Sequence, residues 1–168
     1  MREAETITLV FFRHGKAVSI EEAGSDDNRW LTSEGREDVR CVARLLPLTS
    51  PLILTSPLRR AVESAEIISN IMNTSYQVDA RLLPSSFNKN VLKEILASLN
   101  KKEIILVGHS PSLENTAIQI LSPNNKSLKI KLPAGGAMIL EVTPSLERAI
   151  LREIISPRIA RKSCDLGS

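Results

Sequence analysis

The chain of 168 residues holds two histidines, His14 and His109, and each directly follows a short apolar run. Ile7-Thr8-Leu9-Val10-Phe11-Phe12 leads into Arg13-His14-Gly15, and Glu103-Ile104-Ile105-Leu106-Val107 leads into Gly108-His109. A third apolar run, Leu52-Ile53-Leu54-Thr55, leads into Ser56-Pro57-Leu58-Arg59-Arg60. A neutral imidazole can attack an electrophile or move a proton, and a guanidinium can grip an oxyanion through paired hydrogen bonds. If the three runs are parallel strands, both histidines and the arginines reach one edge of a sheet. That edge is where open α/β sheets bind ligands. Arg59 and Arg60 fall in the first turn of a helix, where the macrodipole disfavours a cation by ~0.3–1 kcal/mol. An anion held between that turn and Arg13 would resolve the conflict. Arg59 has a simpler explanation, as a solvated side chain or a partner of Glu63 one helical turn on.

The elements that must position these residues are legible in the pattern. β-branched and aromatic residues make the strand from Ile7 a buried one. Lys16 to Asn28 is polar and aperiodic, and is expected to be a loop. Thr32 reads as an N-cap, with Glu34 in the first turn of a helix whose apolar face is Val39, Val42, Ala43 and Leu46. Ser56-Pro57 and Ser110-Pro111 each read as an N-cap followed by a proline at the first helical position. Leu58, Ala61, Ala65, Ile68 and Met72 give the face of one following helix, and Leu113, Ala117 and Leu121 that of the other. A further amphipathic helix spans Val91 to Leu99. Tyr76 to Val78 is expected to be a brief strand, and Leu128, Ile130 and Leu132 alternate as a strand or extended arm. Ala137 to Val142 and Ala149 to Ile155 read as two strands around a turn at Pro144-Ser145. The basic tail from about Pro157 shows no strong pattern, and Gly167-Ser168 are expected to be disordered. Strands alternating with helices imply a mostly parallel mixed sheet between helical layers, a three-layer αβα sandwich in one domain over residues 1–168.

The totals narrow the function classes. Hydrophobic residues make up 42% and charged residues 24%, with a net charge of +3. No long cationic run occurs and aromatics are 3%, so nothing marks a nucleic-acid partner. The N-terminal apolar run is too short for a signal peptide or a membrane span, and no membrane association is expected. Cys41 reads as a small core residue of a helix. With Cys164 far off in sequence and no CxxC, no disulfide framework is expected, which fits a reducing cytoplasm. A Gly-rich nucleotide loop ending in Lys-Ser/Thr is absent.

Arg13-His14-Gly15, then Ser56-Pro57-x-x-Arg60-Ala61-x-x-Ser64, then Gly108-His109 resembles the histidine phosphatase, or phosphoglycerate-mutase-like, superfamily. The resemblance spans nearly the whole chain. Asp26-Asp27-Asn28-Arg29-Trp30-Leu31-Thr32-Ser33-Glu34-Gly35 is similar to the D-x-x-R-x-L-T-x-x-G pattern of its SixA-like phosphohistidine phosphatases, as are the short length and the closing Ile155-Ser156-Pro157-Arg158. The resemblance implies a phosphoglycerate-mutase-like fold, with His14 as the nucleophile that takes the phosphoryl group. Arg13, Arg60 and His109 would hold the phosphate oxygens, and Arg29 with Asp26 would line the entrance or orient the others. It implies no cofactor and no metal, and a phosphohistidine-bearing protein as partner. Flanking arginines favour the neutral imidazole that such a nucleophile needs.

One departure bears on the substrate. Many members of the superfamily carry a glutamate general acid after the third strand. Here that stretch reads Asp79-Ala80-Arg81-Leu82-Leu83-Pro84, with Arg81 where the acid is expected. A sugar alkoxide needs protonation to leave, whereas an imidazole is far less basic. A missing acid therefore favours P–N over sugar P–O cleavage. Asp26 is a candidate substitute acid, or simply a carboxylate paired to Arg29. A small-molecule phosphomonoesterase of the same superfamily and a non-catalytic phospho-recognition module remain as alternatives. His14→Ala is expected to abolish turnover and any acid-labile phosphoenzyme, scored by phosphate release and by trapping labelled protein. Retained turnover would remove His14 as the nucleophile.

Overall fold

The computed structural model describes residues 5–166. Gly167 and Ser168 lie outside the described residues. A six-stranded sheet has the order β3-β2-β4-β1-β5-β6. Its strands are β1 (Ile7–Arg13), β2 (Leu52–Thr55), β3 (Tyr76–Val78), β4 (Glu103–Gly108), β5 (Ala137–Val142) and β6 (Ala149–Ile155). The first four run parallel, β5 is antiparallel to β1, and β6 is antiparallel to β5. The mixed sheet and its helical layers are therefore those expected.

Strand alternation splits the core in two. On one face Leu9, Phe11, Ile104, Leu106, Met138 and Leu140 pack with Leu92, Ile95 and Leu96 of α4 (Lys89–Ser98) and Leu113, Ala117 and Ile120 of α5 (Ser112–Leu121). On the other, Val10, Phe12, Ile53, Ile105, Val107 and Ile139 meet α2 (Ser33–Arg44), α3 (Arg59–Met72) and α6 (Pro157–Asp165). The central strands are apolar on both faces because both are covered. Burial of such side chains contributes ~1.5–3 kcal/mol each.

Register converts this packing into a site. Arg13 stands opposite Gly108 across β1 and β4, and Thr55 stands opposite Val107 across β2 and β4. Beyond the paired residues, His14 N–H donates to the Gly108 carbonyl at 3.1 Å, and Ser56 N–H donates to the Val107 carbonyl at 3.0 Å. The residues after β1, β2 and β4 are thus neighbours at one sheet edge.

Several local expectations change. The loop after Gly15 contains a short helix, α1 (Ile20–Ala23), capped by Ser19. The helix after β2 starts at Arg59 with Leu58 at its N-cap and no side-chain cap; the Ser56 hydroxyl accepts the Leu58 N–H at 3.4 Å and bonds to His109 at 2.8 Å. Ser110 is not an N-cap either: the Ser110–Pro111 peptide is cis, α5 begins at Ser112, and the Ser110 hydroxyl donates to Glu114. Residues 128–133 form an extended arm without strand pairing. The basic tail is a helix, α6, capped by Ser156, with Arg161 donating to Asp38 at 2.7 Å.

The cysteine reading is also corrected. Cys41 is a core residue, 1% exposed, but it is disulfide-bonded to Cys164, with Cα atoms 5.6 Å apart. The separation of 123 residues hid an approach made by packing α6 on α2. Cysteine use therefore gives no argument for a reducing compartment. Among the described residues no helix is long and apolar enough to cross a membrane.

The turn after β1 is pressed onto the start of α2. A Cβ at Gly15 would lie 2.6 Å from the Gly35 carbonyl oxygen, and one at Gly35 would lie 2.8 Å from the Lys16 nitrogen. Both neighbours are backbone and cannot rotate away. Gly35→Ala gains about 1 kcal/mol of helix propensity, yet overpacking of this kind costs ~1–3 kcal/mol. The contact should win, so the variant is expected to unfold at lower urea than the parent; equal or higher stability would show that the turn yields.

Candidate active site

Arg13, His14, Arg60 and His109 come together at the carboxyl ends of β1, β2 and β4. His14 presents its ring with one tautomer fixed by its neighbours. Nδ1 lies 2.8 Å from the Gly15 carbonyl oxygen, which can only accept, so Nδ1 carries the proton. Nε2 then has a free lone pair and accepts from Arg60 Nε–H at 3.3 Å. The Gly15 turn is held by Ser64: Gly15 N–H donates to Ser64 Oγ at 3.0 Å, and the same hydroxyl donates to the Arg60 carbonyl at 2.7 Å. One serine thus ties the turn that carries His14 to the helix that carries Arg60.

His109 is 2% exposed, and its ring centroid lies 5.1 Å from that of His14. Its Nε2 is 2.8 Å from Ser56 Oγ. Arg13 Nη1 donates to the Leu132 carbonyl at 2.8 Å. Arg13 Nε and His109 Nδ1 are buried without a hydrogen-bond partner among the described residues. Buried polar atoms of this kind are rare outside functional sites, and both belong to side chains expected to hold an anion.

Asp26 and Arg29 flank the cluster. Arg60, 5% exposed, donates from Nη1 to the Asp26 carbonyl at 2.8 Å and from Nη2 to Asp26 Oδ2 at 3.2 Å. Arg29 donates from Nε to the Val18 carbonyl at 2.7 Å and from Nη1 to Asp26 Oδ1 at 3.2 Å. Asp26 therefore bridges two guanidiniums. Arg59 is turned away from the cluster. It pairs with Glu63 at 3.3 Å, donates to Asn28 and lies 5.2 Å over the Trp30 ring. The acids Asp26 and Glu63 offset the cations that the first turn of α3 disfavours.

These surroundings set the charge states. Burial pushes the His14 imidazole down to about 3; the Gly15 carbonyl pulls it up, and His109, Arg60 and Arg13 push it further down. Burial lowers His109 to about 4, with Arg60 and Arg13 adding to the shift and Asp26 opposing it. At Asp26 desolvation raises the carboxyl, but the hydrogen bonds and charges of Arg29 and Arg60 prevail and hold it below the usual carboxylate range. Arg81 pairs with Asp79 at 2.7 Å.

Of these residues, the motif contained Ser64 without indicating what its hydroxyl does, and Ser56 as an N-cap rather than as a partner of His109. Sequence offered no sign of the Leu132 carbonyl, because that arm approaches Arg13 only through the fold.

A sequence model of the histidine phosphatase superfamily (branch 1) matches residues 9–89. An uncharacterised protein of Picosynechococcus sp. (strain PCC 7002) is 36% identical over 115 residues, covering 62% of this chain and 67% of that protein. The chain belongs to the histidine phosphatase superfamily. Its fold matches that of the protein histidine phosphatase SixA complexed with tungstate, at a TM-score of 0.79 and 21% identity over 95% of this chain and 99% of that one. It also matches the mycobacterial glucosyl-3-phosphoglycerate phosphatase, at a TM-score of 0.63 and 17% identity over 87% and 97% of the two chains. A phosphatase is thus the activity that the family supports.

Both histidines have folded-state values below the ordinary 6.5. The unfolded chain then takes up protons below pH 6.5 that the folded chain refuses, so stability is full above 6.5 and falls as pH drops toward about 3. With two histidines in the chain, imidazole resonances can be assigned by single substitution. Both rings are expected to stay neutral at pH 5.5 in an NMR titration of the free protein; a midpoint near 6.5 for either would contradict the burial argument.

Proposed function

We propose that the protein is a phosphohistidine phosphatase acting on a phosphohistidine-bearing protein. The observation that carries this reading is the pairing of a neutral His14 with a cationic cradle whose one contacting carboxylate among the described residues, Asp26, is held below the usual carboxylate range between Arg29 and Arg60. His14 Nε2 attacks phosphorus and the P–N bond of the substrate breaks. The electron pair leaves on the substrate imidazole, whose second nitrogen can carry the proton that makes it a neutral leaving group. Arg13, Arg60 and His109 face the charge spread over the equatorial oxygens, the main demand of phosphoryl transfer. Water then cleaves the phospho-His14 bond, phosphate leaves, and Nδ1–H stays on the Gly15 carbonyl throughout.

A sugar phosphate would need a proton on its departing alkoxide. An Asp26 that gave up its ionised form would lose bonds from two guanidiniums, and Arg81 offers no carboxyl. The expected ranking is therefore a phosphohistidine protein or phosphoramidate well above sugar phosphates and phosphoserine, measured as kcat/KM across a panel. Preference for phosphomonoesters, with a rate requiring a protonated group near neutrality, would favour the small-molecule reading. Oxyanion binding without turnover on any member would favour a phospho-recognition module.

A further inference from the structure

Glu114 is a buried acid side chain, 7% exposed, that the reaction above does not use. It sits in the first turn of α5, just beyond His109. Its Oε1 accepts the Ser110 hydroxyl at 2.6 Å and the Leu132 backbone N–H at 3.2 Å. Leu132 is fully buried in the extended arm, and its carbonyl receives Arg13 Nη1 at 2.8 Å. Glu114 Oε2 is buried without a hydrogen-bond partner among the described residues. Burying an acid side chain with one of its oxygens unpartnered is unfavourable. Valine or leucine would fill the same space without that cost, so the group is explained by what its Oε1 holds.

We propose that Glu114 is a positioning residue for the oxyanion cradle. It fixes the Leu132 peptide so that its carbonyl orients the Arg13 guanidinium, and it fixes Ser110, the residue that follows His109. One side chain thereby sets the separation of two groups that face the phosphate from different strands. The inference rests on the phosphatase reading, but its main readout, oxyanion affinity, does not require turnover.

The test uses the full chain, with orthovanadate affinity by calorimetry beside kcat/KM on phosphoramidate. Displacing a cradle group by an ångström costs on the order of 10²-fold in catalysis. Glu114→Leu is expected to weaken vanadate binding by about 10–100-fold and to lower kcat/KM in parallel. Glu114→Gln keeps the accepting oxygen and is expected to recover most of that loss. In an Arg13→Ala background Glu114→Leu should add little, because the group it positions is gone. If Glu114→Leu gives no folded protein, Glu114→Asp carries the same comparison by withdrawing the carboxylate one methylene. Vanadate affinity unchanged in a less stable variant, or losses that multiply independently with Arg13→Ala, would overturn the proposal. A parent protein that binds vanadate without turnover would count against the phosphatase reading and leave this one intact.

Discussion

Everything at the site depends on the hydrogen bond between His14 Nδ1 and the Gly15 carbonyl. It assigns the proton to the inner nitrogen and leaves Nε2 as a lone pair facing Arg60. The opposite tautomer would set two N–H donors against each other at Nε2 and waste the carbonyl at Nδ1. The arrangement also explains why the turn must be so closely held. Only when the Gly15 peptide is fixed, by Ser64 on one side and by α2 on the other, does its carbonyl point at the ring that precedes it. The His14 ring is thus oriented by backbone rather than by a carboxylate, and its Nδ1 partner carries no negative charge that would draw a proton onto it.

The same economy governs the charges. Two arginines open α3 against the dipole, and each is answered differently. Arg59 is neutralised on the surface by Glu63 and rests on Trp30. Arg60 is buried and shares Asp26 with Arg29, so the carboxylate offsets charge without blocking the Nε that faces His14. A buried guanidinium with one partner on each side is rigid, and rigidity in a cationic cradle is what stabilises a charged transition state cheaply.

The strands, most of the helices and the histidines and arginines that meet at the cluster were legible in the sequence. Apolar runs followed at once by polar residues mark strand ends, and strand ends are where a parallel sheet exposes chemistry. What could not be read were contacts between distant segments. Ser56 looked like a helix cap because Ser-Pro before a helix usually is one; its hydroxyl instead serves a histidine brought alongside by β4. Ser110 failed as a cap for a similar reason, its partner being a buried acid. Cys41 and Cys164 meet because an unpatterned basic tail turned out to be amphipathic and to dock on α2. Local propensity spoke correctly about elements and was silent about which of their polar atoms would find each other.

The strand order has a consequence for how activity arises. β4 is inserted between β1 and β2, so Thr8 finds its partner at Glu103 and Leu52 finds its own at Ile104. Arg13 and Arg60 are therefore not neighbours until a strand from the second half of the chain has entered between their own strands. Such non-local pairing is slow and is reached late in folding. A nascent chain that has emerged only as far as α4 holds His14 and both arginines of the α3 turn, yet has no surface on which they converge. The cluster is in this sense a property of the completed sheet, assembled only after synthesis has passed His109.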